Sequence, residues 1–527
     1  MNRPLKLVSI FIGILGCPVV AALPATECPN VLFIMCDDLN DWALHPADHP
    51  EAITPNMDRL REQSVNFTNA HVVIPVCGPS RKILFSGLYP HTFQSYAFKS
   101  WKAEKILRNC VPLPLHFRNH GYSVYGTGKL LHEGKGGDFY DDYGIGVDYG
   151  PWSKEGEGKG KTSWVHPRLE AKYGNSIRHQ DFSYGPLSEV PTWSPDRKNA
   201  GPNGWFYKGG KAFRYESETD RDLMPDEISA NYAVNILRQT HDKPFYLAVG
   251  FARPHTPLYA PKKFFDMYPI ESITLPPTLE GDLDDCAEAL RKRWVRSYDN
   301  FDKIIELGGE DLWKEWLQAY LACVSFVDHQ LGTVLDALEK SPHADNTIIV
   351  FTSDHGYHIG EKGAKQKWHL WEESTRVPYF IHLPGGKGNG KDCPHPVTTI
   401  DLYPTLADLC GLPLDPNTDR SGIALDGHSL RPFLADPLTK QWSGPSVAYM
   451  AVGKSFQDAK GWGLEPHHSV RSERYRYTLC QNGEEELYDH ENDPHEWTNL
   501  AADPEYAEVK KDLKASLVKL LGKEHSD

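Results

Sequence analysis

Residues 30–38 read N-V-L-F-I-M-C-D-D, and the rest of the chain can be read outward from them. Val31 to Met35 is an unbroken apolar run too short for a core helix. Such a run marks a strand buried on both faces of a parallel sheet, where no solvent face is left to take polar residues. Parallel strands are joined by helices that cover the sheet, and ligands bind beyond the strands' carboxyl ends. Here that end delivers Asp37 and Asp38. Two adjacent carboxylates repel unless a cation lies between them, and hard oxygen donors suit Ca2+ or Mg2+. A pair of solvated loop acids is the competing reading.

Four further runs repeat the pattern. Tyr122–Tyr125 leads to Lys129 and His132, Pro244–Phe251 to Arg253 and His255, and Thr347–Phe351 to Asp354 and His355. Pro378–Leu383 ends in Pro384-Gly385-Gly386. Helices are expected from Pro55 to Leu60 behind Thr54 as N-cap, over Pro225–Leu237, over Trp313–Lys340 and over Asp401–Leu409. The alternation is that of an α/β protein. Four of the five strands carry polar, catalytic-type residues at one end, which seldom happens by chance. His355 alone, among 24 histidines, would read as an ordinary loop residue.

Residues 72–87, V-V-I-P-V-C-G-P-S-R-K-I-L-F-S-G, place Cys77 at the mouth of a helix that Pro79 helps to start. The exposed N–H groups and positive end of such a helix suit a tetrahedral oxyanion, and Arg81 adds a forked cation. A buried structural cysteine is the plain alternative. The stretch resembles the sulfatase signature C-x-P-S-R-x-x-x-L-T-G, with Phe85 and Ser86 where leucine and threonine are usual.

That resemblance implies that a maturation enzyme oxidises Cys77 to formylglycine (3-oxoalanine), whose hydrate attacks sulfate esters. It implies that Asp37, Asp38, Asp354 and His355, with position 77, hold Ca2+ or alternatively Mg2+. Asp354 would take the attacking hydroxyl's proton, and Arg81, Lys129 and Lys367 would hold the sulfate charge. Lys129 and His132 match the family's G-K-x-x-H element, and His255 its histidine after the next strand. His255, with Lys367, would protonate the leaving oxygen, and His132 would deprotonate the second hydroxyl to expel sulfate. Lys365 competes with Lys367 for its place. The D-D-L-N-D, R-P-H and D-H-G-Y-x-x-G-E segments are similar to iduronate-2-sulfatases and bacterial polysaccharide sulfatases. The implied fold is an alkaline-phosphatase-like sandwich: a large, mostly parallel central sheet flanked by helices, with a smaller C-terminal subdomain bearing a short antiparallel sheet and a terminal helix.

For the substrate, Arg253 and Lys365 are candidates to contact a second acidic group such as a uronate carboxylate. Tyr357, His369, Trp371 and the loop 454–468 are candidates for a sugar-binding rim. An ordinary core or surface role competes at each. The alternatives for the whole chain are a phosphate or phosphonate monoester hydrolase of the same superfamily and an inactive glycan-binding protein.

Composition sets the outer bounds. With 56 basic and 71 acidic residues the formal charge is −15, which argues against a nucleic-acid-binding surface and requires a local basic pocket for any anionic substrate. Arg3 and Lys6 ahead of the apolar run Leu7–Val20 read as a secretory signal over residues 1–25. Export follows: periplasmic or extracellular in a bacterium, lysosomal or secreted in a eukaryote. No later stretch is apolar enough to span a membrane. A catalytic domain is expected over 26–437 and a C-terminal subdomain over 438–527, with strands at 469–471, 475–479 and 486–489 and a helix at 504–521. Residues 134–223 read as a long excursion lining a cleft. The remaining cysteines lack C-x-x-C spacing, so no zinc site is indicated, and their pairing is open.

Overall fold

The computed structural model describes residues 28–44, 49–132, 137–154, 162–163, 169, 171–172, 182–189, 205–208, 211–292, 295–453 and 466–522. The leader of residues 1–25 and most of the 454–468 loop lie outside the described residues. The first strand, β1 (Asn30–Asp37), is buried along its whole length. Val31, Phe33 and Met35 point into one hydrophobic core, and Leu32, Ile34 and Cys36 into a second on the opposite face. The run is continuously apolar because both faces are covered.

Around β1 an eight-stranded sheet is built from β2 (Val65–Phe67), β3 (Ser123–Gly128), β4 (Asp142–Tyr143), β5 (Phe245–Pro254), β6 (Thr347–Ser353), β7 (Tyr379–His382) and β8 (Lys391–Cys393). The order is β8-β2-β7-β6-β1-β5-β3-β4. Strands β5 and β6 flank β1 in parallel, and β3 continues the parallel run beyond β5. Strand β7 pairs antiparallel with both β6 and β2, so it alone runs against the others. Its Pro384-Gly385-Gly386 turn therefore lies at the sheet end opposite to the one where β1, β3, β5 and β6 finish.

Helices cover both faces. On the Leu32 side, α1 (Pro55–Glu62), α4 (Pro225–Leu237) and α5 (Val295–Glu339) contribute Leu60, Ala233, Leu317, Leu321, Val324 and Leu331. On the Val31 side, α2 (Cys77–Ser86), α3 (Leu113–Asn119) and α6 (Leu402–Leu409) contribute Ile83, Phe85, Phe117 and Leu406. Helix α5 begins well before the expected Trp313, with Gly309 at φ +57° interrupting it. The apolar stripe marks only the part that packs on the sheet. Pro55 opens α1 as expected, but the Thr54 side chain makes no capping bond.

A four-stranded antiparallel sheet, β9 (Ala448–Val452), β10 (His467–Arg471), β11 (Tyr475–Leu479) and β12 (Glu485–Asp489), and helix α7 (Ala507–Leu520) follow. Strand β9 has no counterpart in the sequence expectation. It docks on the larger part, with the Ala451 amide donating to the Val73 carbonyl at 2.7 Å. The described parts of 134–223 are not featureless, because Trp152–Lys154, Thr162–Ser163, Trp205–Phe206 and Ala212–Phe213 form a second small sheet. Among the described residues the cysteines are all unbridged, and no helix is long and apolar enough to cross a membrane.

Candidate active site

The parallel strands deliver their terminal residues to one place. At the end of β1 the chain turns sharply through Asp38, whose φ of +65° places its carboxylate beside that of Asp37. The Asp38 amide donates to Asp354 Oδ1 at 3.3 Å, and its carbonyl accepts from the Tyr320 hydroxyl at 2.7 Å. Asp354 and His355 follow β6, held by Ser353, whose hydroxyl donates to the His355 carbonyl at 2.9 Å. Asp37, Asp38, Cys77 and His355 each place one donor atom within 4.8 Å of the others.

Cys77 is the first residue of α2, and Gly87 ends that helix in the left-handed conformation at φ +64°. Cys77 Sγ lies 3.1 Å from His355 Nε2. The other ring nitrogen, Nδ1, is 2.9 Å from the Gly356 carbonyl. A carbonyl only accepts, so Nδ1 carries the proton and the Nε2 lone pair faces Asp38 at 3.3 Å and Asp354 at 3.5 Å. One turn into α2, Arg81 donates from Nε to Asp354 Oδ2 at 2.7 Å and from Nη1 to the Leu130 carbonyl at 3.2 Å. Lys129 is paired with Asp37, and Lys367 with Asp38. Gln366 (φ +91°) and Trp368 (φ +81°) hold strained backbone on either side of Lys367. Each such residue costs roughly 1 kcal/mol or more and persists only where its surroundings hold it.

The electrostatics follow from packing charges without water. Burial pushes Asp37 up, but Lys129, His255 and Arg81 outweigh it and hold the carboxyl well below its ordinary range. Burial, with Asp37 and Asp354 adding to it, pushes Asp38 up to about 7 against the pull of Lys367. Asp354 is likewise raised by burial and Asp37, to about 6, despite Arg81. Burial and the neighbouring Lys367 keep His355 well below its usual value, so it is neutral. Asp37 Oδ1 is buried with no hydrogen-bond partner, and Arg81 Nη2 lies 3.6 Å from it. The carboxylates of Asp37, with its unpartnered oxygen, and Asp38, together with the His355 lone pair, form a donor set suited to a hard divalent cation, while Asp354 adjoins it with its oxygens bonded to the Asp38 amide and Arg81.

Two histidines border this cluster. His255 follows β5, stacks on Tyr149 at 4.5 Å, and makes a 2.5 Å hydrogen bond from Nδ1 to the Thr256 carbonyl. His132 opens to solvent with one face edge-on to Phe98 at 5.1 Å. Burial of the rest of the ring and the Lys129 cation bring His132 down to about 3, leaving it neutral. Tyr149, which the sequence did not mark, lies under both His255 and Lys129, the latter 5.0 Å from its ring centre. It comes from the aperiodic excursion, where no local pattern announces it.

The candidates for substrate contact fare differently. Arg253 is buried, and its guanidinium donates to the backbone carbonyls of Tyr259, Tyr149 and Gly150, so it braces the loop after β5. Lys365 is buried, with its ammonium 4.3 Å from the Trp316 ring centre. Tyr357 is buried in a cluster with Trp316 and Tyr320. His369 bonds Ser297 at 2.8 Å and stacks on Trp371, and both rings are buried, so they form no open rim.

The profile of the sulfatase family matches residues 29–412, which spans the central sheet and every residue of this cluster. The chain belongs to the sulfatase family. The C-terminal profile of N-sulphoglucosamine sulphohydrolase matches residues 360–523 of this sulfatase. A sulfatase of Formosa agariphila is 34% identical over 497 residues, covering 93% of this chain and 86% of that protein. The iduronate 2-sulfatase of Mus musculus is 30% identical over 426 residues, covering 74% and 70%. The structure of a 2-O GAG sulfatase superposes with a TM-score of 0.66 at 23% identity, covering 94% and 92%. The enzyme is a sulfuric ester hydrolase with the alkaline-phosphatase-like fold.

Proposed function

We propose that this sulfatase hydrolyses sulfate monoesters on sulfated glycans, with uronate 2-O-sulfates among the first to test. Cys77 acts after conversion to formylglycine by a maturation enzyme, and Asp37, Asp38, Asp354 and His355 hold a divalent cation, Ca2+ before Mg2+. The reading rests on one observation: two adjacent strand ends bring Asp37, Asp38 and His355 around Cys77, with an Asp37 oxygen left unpartnered. The thiol itself is a poor nucleophile here, because burial and Asp37 push it up to about 12. Hydrated formylglycine supplies a hydroxyl nucleophile, and the cation supplies positive charge beside it.

The other steps fall to residues already in place. Arg81, Lys129 and Lys367 are fixed cations whose charge a sulfate ester can share with Asp354, Asp37 and Asp38. Such preorganised charge is worth more in a dry site than in water. His255 protonates the departing sugar oxygen from Nε2, since Nδ1 is committed to Thr256; burial and Lys367 hold the ring well below its ordinary value, and the charge of the bound sulfate works against them to favour the protonated ring. His132, neutral and open to solvent, removes the proton that lets sulfate leave. The leader pattern of residues 1–25 supports export from the cytoplasm, where glycan polymers are met.

Mass spectrometry of the peptide spanning Cys77, from a maturation-competent host, tests the nucleophile. The expected species is about 18 Da lighter than the thiol form. Sulfate release from a panel of sulfated glycans, with matched phosphate and phosphonate esters alongside, tests the reaction. An unmodified thiol with no sulfate release would leave the binding-protein reading, and faster turnover of a phosphonate would favour the other hydrolase.

A further inference from the structure

Beside the nucleophile lies a second small recess that none of the roles above uses. It has a volume of about 80 Å³ and is lined by Gly78, Phe98, Lys99, Ser100, Trp101 and His132, among others. Gly78 directly follows Cys77 in α2, and His132 borders the sulfate cluster, so the recess adjoins the reacting position. Gly78 is required for this arrangement, because a β-carbon there would stand 2.6 Å from the Phe98 ring. Phe98 in turn packs edge-on against His132 and against Trp368, the neighbour of Lys367. The floor is therefore apolar and rigid.

The polar groups of the recess are donors. Lys99 is exposed, and its ammonium has no ion-pair or hydrogen-bond partner among the described residues. Lys82, also in the lining, is already neutralised by Glu104 and bonded to the Ala97 carbonyl at 2.8 Å. Ser100 Oγ accepts from the Ala103 amide at 3.2 Å, which leaves its hydroxyl hydrogen to donate elsewhere. Among the described residues no carboxylate lines the recess. In a chain of net charge −15, an unpaired cation beside a catalytic cluster is a local exception.

We propose that Lys99 and Ser100 form a subsite for a second anionic substituent on the sulfated sugar, a carboxylate or another sulfate. The inference rests on the sulfatase reading above and deepens it. The recess is large enough for one such group and too small for a pyranose ring, so it selects on the substituent rather than on the next sugar. Lys99 thereby takes the part for which Arg253 and Lys365 are candidates by sequence.

The test uses the full-length matured enzyme and matched substrates. One pair is a uronate 2-sulfate and its carboxyl-reduced counterpart, a second is a disulfated and a monosulfated hexosamine, and 4-nitrophenyl sulfate reports basal sulfatase chemistry. Lys99→Ala should lower the acid-to-neutral ratio of kcat/KM about tenfold or more in one pair, through KM, as expected for one charge-assisted contact. The pair that responds identifies the substituent, and Lys99→Arg should restore most of the ratio. Equal ratios in wild type and Lys99→Ala for both pairs, with 4-nitrophenyl sulfate still hydrolysed, would overturn the subsite alone. No turnover of any sulfate by the matured wild type would overturn the sulfatase reading and the subsite with it.

Discussion

Nε of Arg81 donates to Oδ2 of Asp354 at 2.7 Å, and neither side chain is exposed. The contact joins the first turn of α2, where the nucleophile sits, to the end of β6. Lysine could keep the charge but not the fork that also reaches the Leu130 carbonyl. Arg81→Lys should therefore cut kcat/KM for a sulfate ester roughly 100- to 1,000-fold, as loss of one preorganised donor does. Steady-state kinetics checks this, and a kcat/KM within about threefold of wild type would remove Arg81 from the proposed sulfate site.

Serine at position 77 gives a different signature. A serine hydroxyl can accept sulfate but has no second hydroxyl to expel it. Cys77→Ser should turn over at most once and retain sulfate on the peptide, unless the host's maturation system also converts serine. Intact-protein mass spectrometry after incubation with substrate reads this directly, and sustained turnover by an unmodified serine variant would contradict it.

Asp38 lies within reach of His355 and is paired with Lys367. Asp38→Asn removes an anionic donor from the proposed cation site. Loss of a merely supporting partner costs about 10- to 100-fold in metal affinity, and loss of a donor should cost more. Calcium and magnesium titrations followed by calorimetry, with metal content measured on the same samples, provide the check. Wild-type affinity in Asp38→Asn would show that this carboxylate is not a ligand.

Glu496 supports a pH prediction away from the chemistry. It is buried and paired with Arg476, which also meets Glu372, tying the C-terminal sheet to the segment after β6. Burial opposes ionisation, but Arg476 and His490 outweigh it and bring Glu496 down to about 2 from 4.5. A carboxylate depressed in the folded state stabilises above its unfolded value and loses that contribution as pH falls through the folded one. Thermal stability should thus decline between about pH 4.5 and 2, and Glu496→Gln should flatten its part of that slope while lowering stability at pH 7. Melting curves at matched pH values for both proteins test this, and identical slopes would exclude the contribution.

Gly128 ends β3 at φ +74°, and a β-carbon there would lie 1.9 Å from the Gly250 carbonyl oxygen. That carbonyl accepts from the Lys129 amide at 2.7 Å. Backbone cannot yield as a side-chain tip can, so Gly128→Ala should destabilise the fold by about 2 kcal/mol or more and displace Lys129. Denaturant unfolding would show the first effect and a lower kcat/KM the second.

Much of this molecule is visible in local pattern. The runs at β1, β5 and β6 stand out because strands buried on both faces must be apolar throughout, and their terminal residues can be read directly. The direction of β7 cannot be read this way, since a buried strand looks the same from either end. Strand β9 is five buried residues with no alternation to mark it, and its docking amide meets Val73 hundreds of residues away in sequence. Tyr149 is invisible for a similar reason: its place under His255 is set by where the excursion returns.

The acid pair, the helix-mouth cysteine and Arg81 were already fixed by short-range spacing, because one strand end and one helix turn position them. Which cations remain available to a substrate was settled only by folding. Arg253, Lys365 and Lys99 look alike in the sequence. Carbonyls from Tyr149, Gly150 and Tyr259 consume the first, the Trp316 ring buries the second, and nothing described neutralises the third. A charge is available or spent according to the groups that surround it, and those groups come from parts of the chain that only the closed fold brings together.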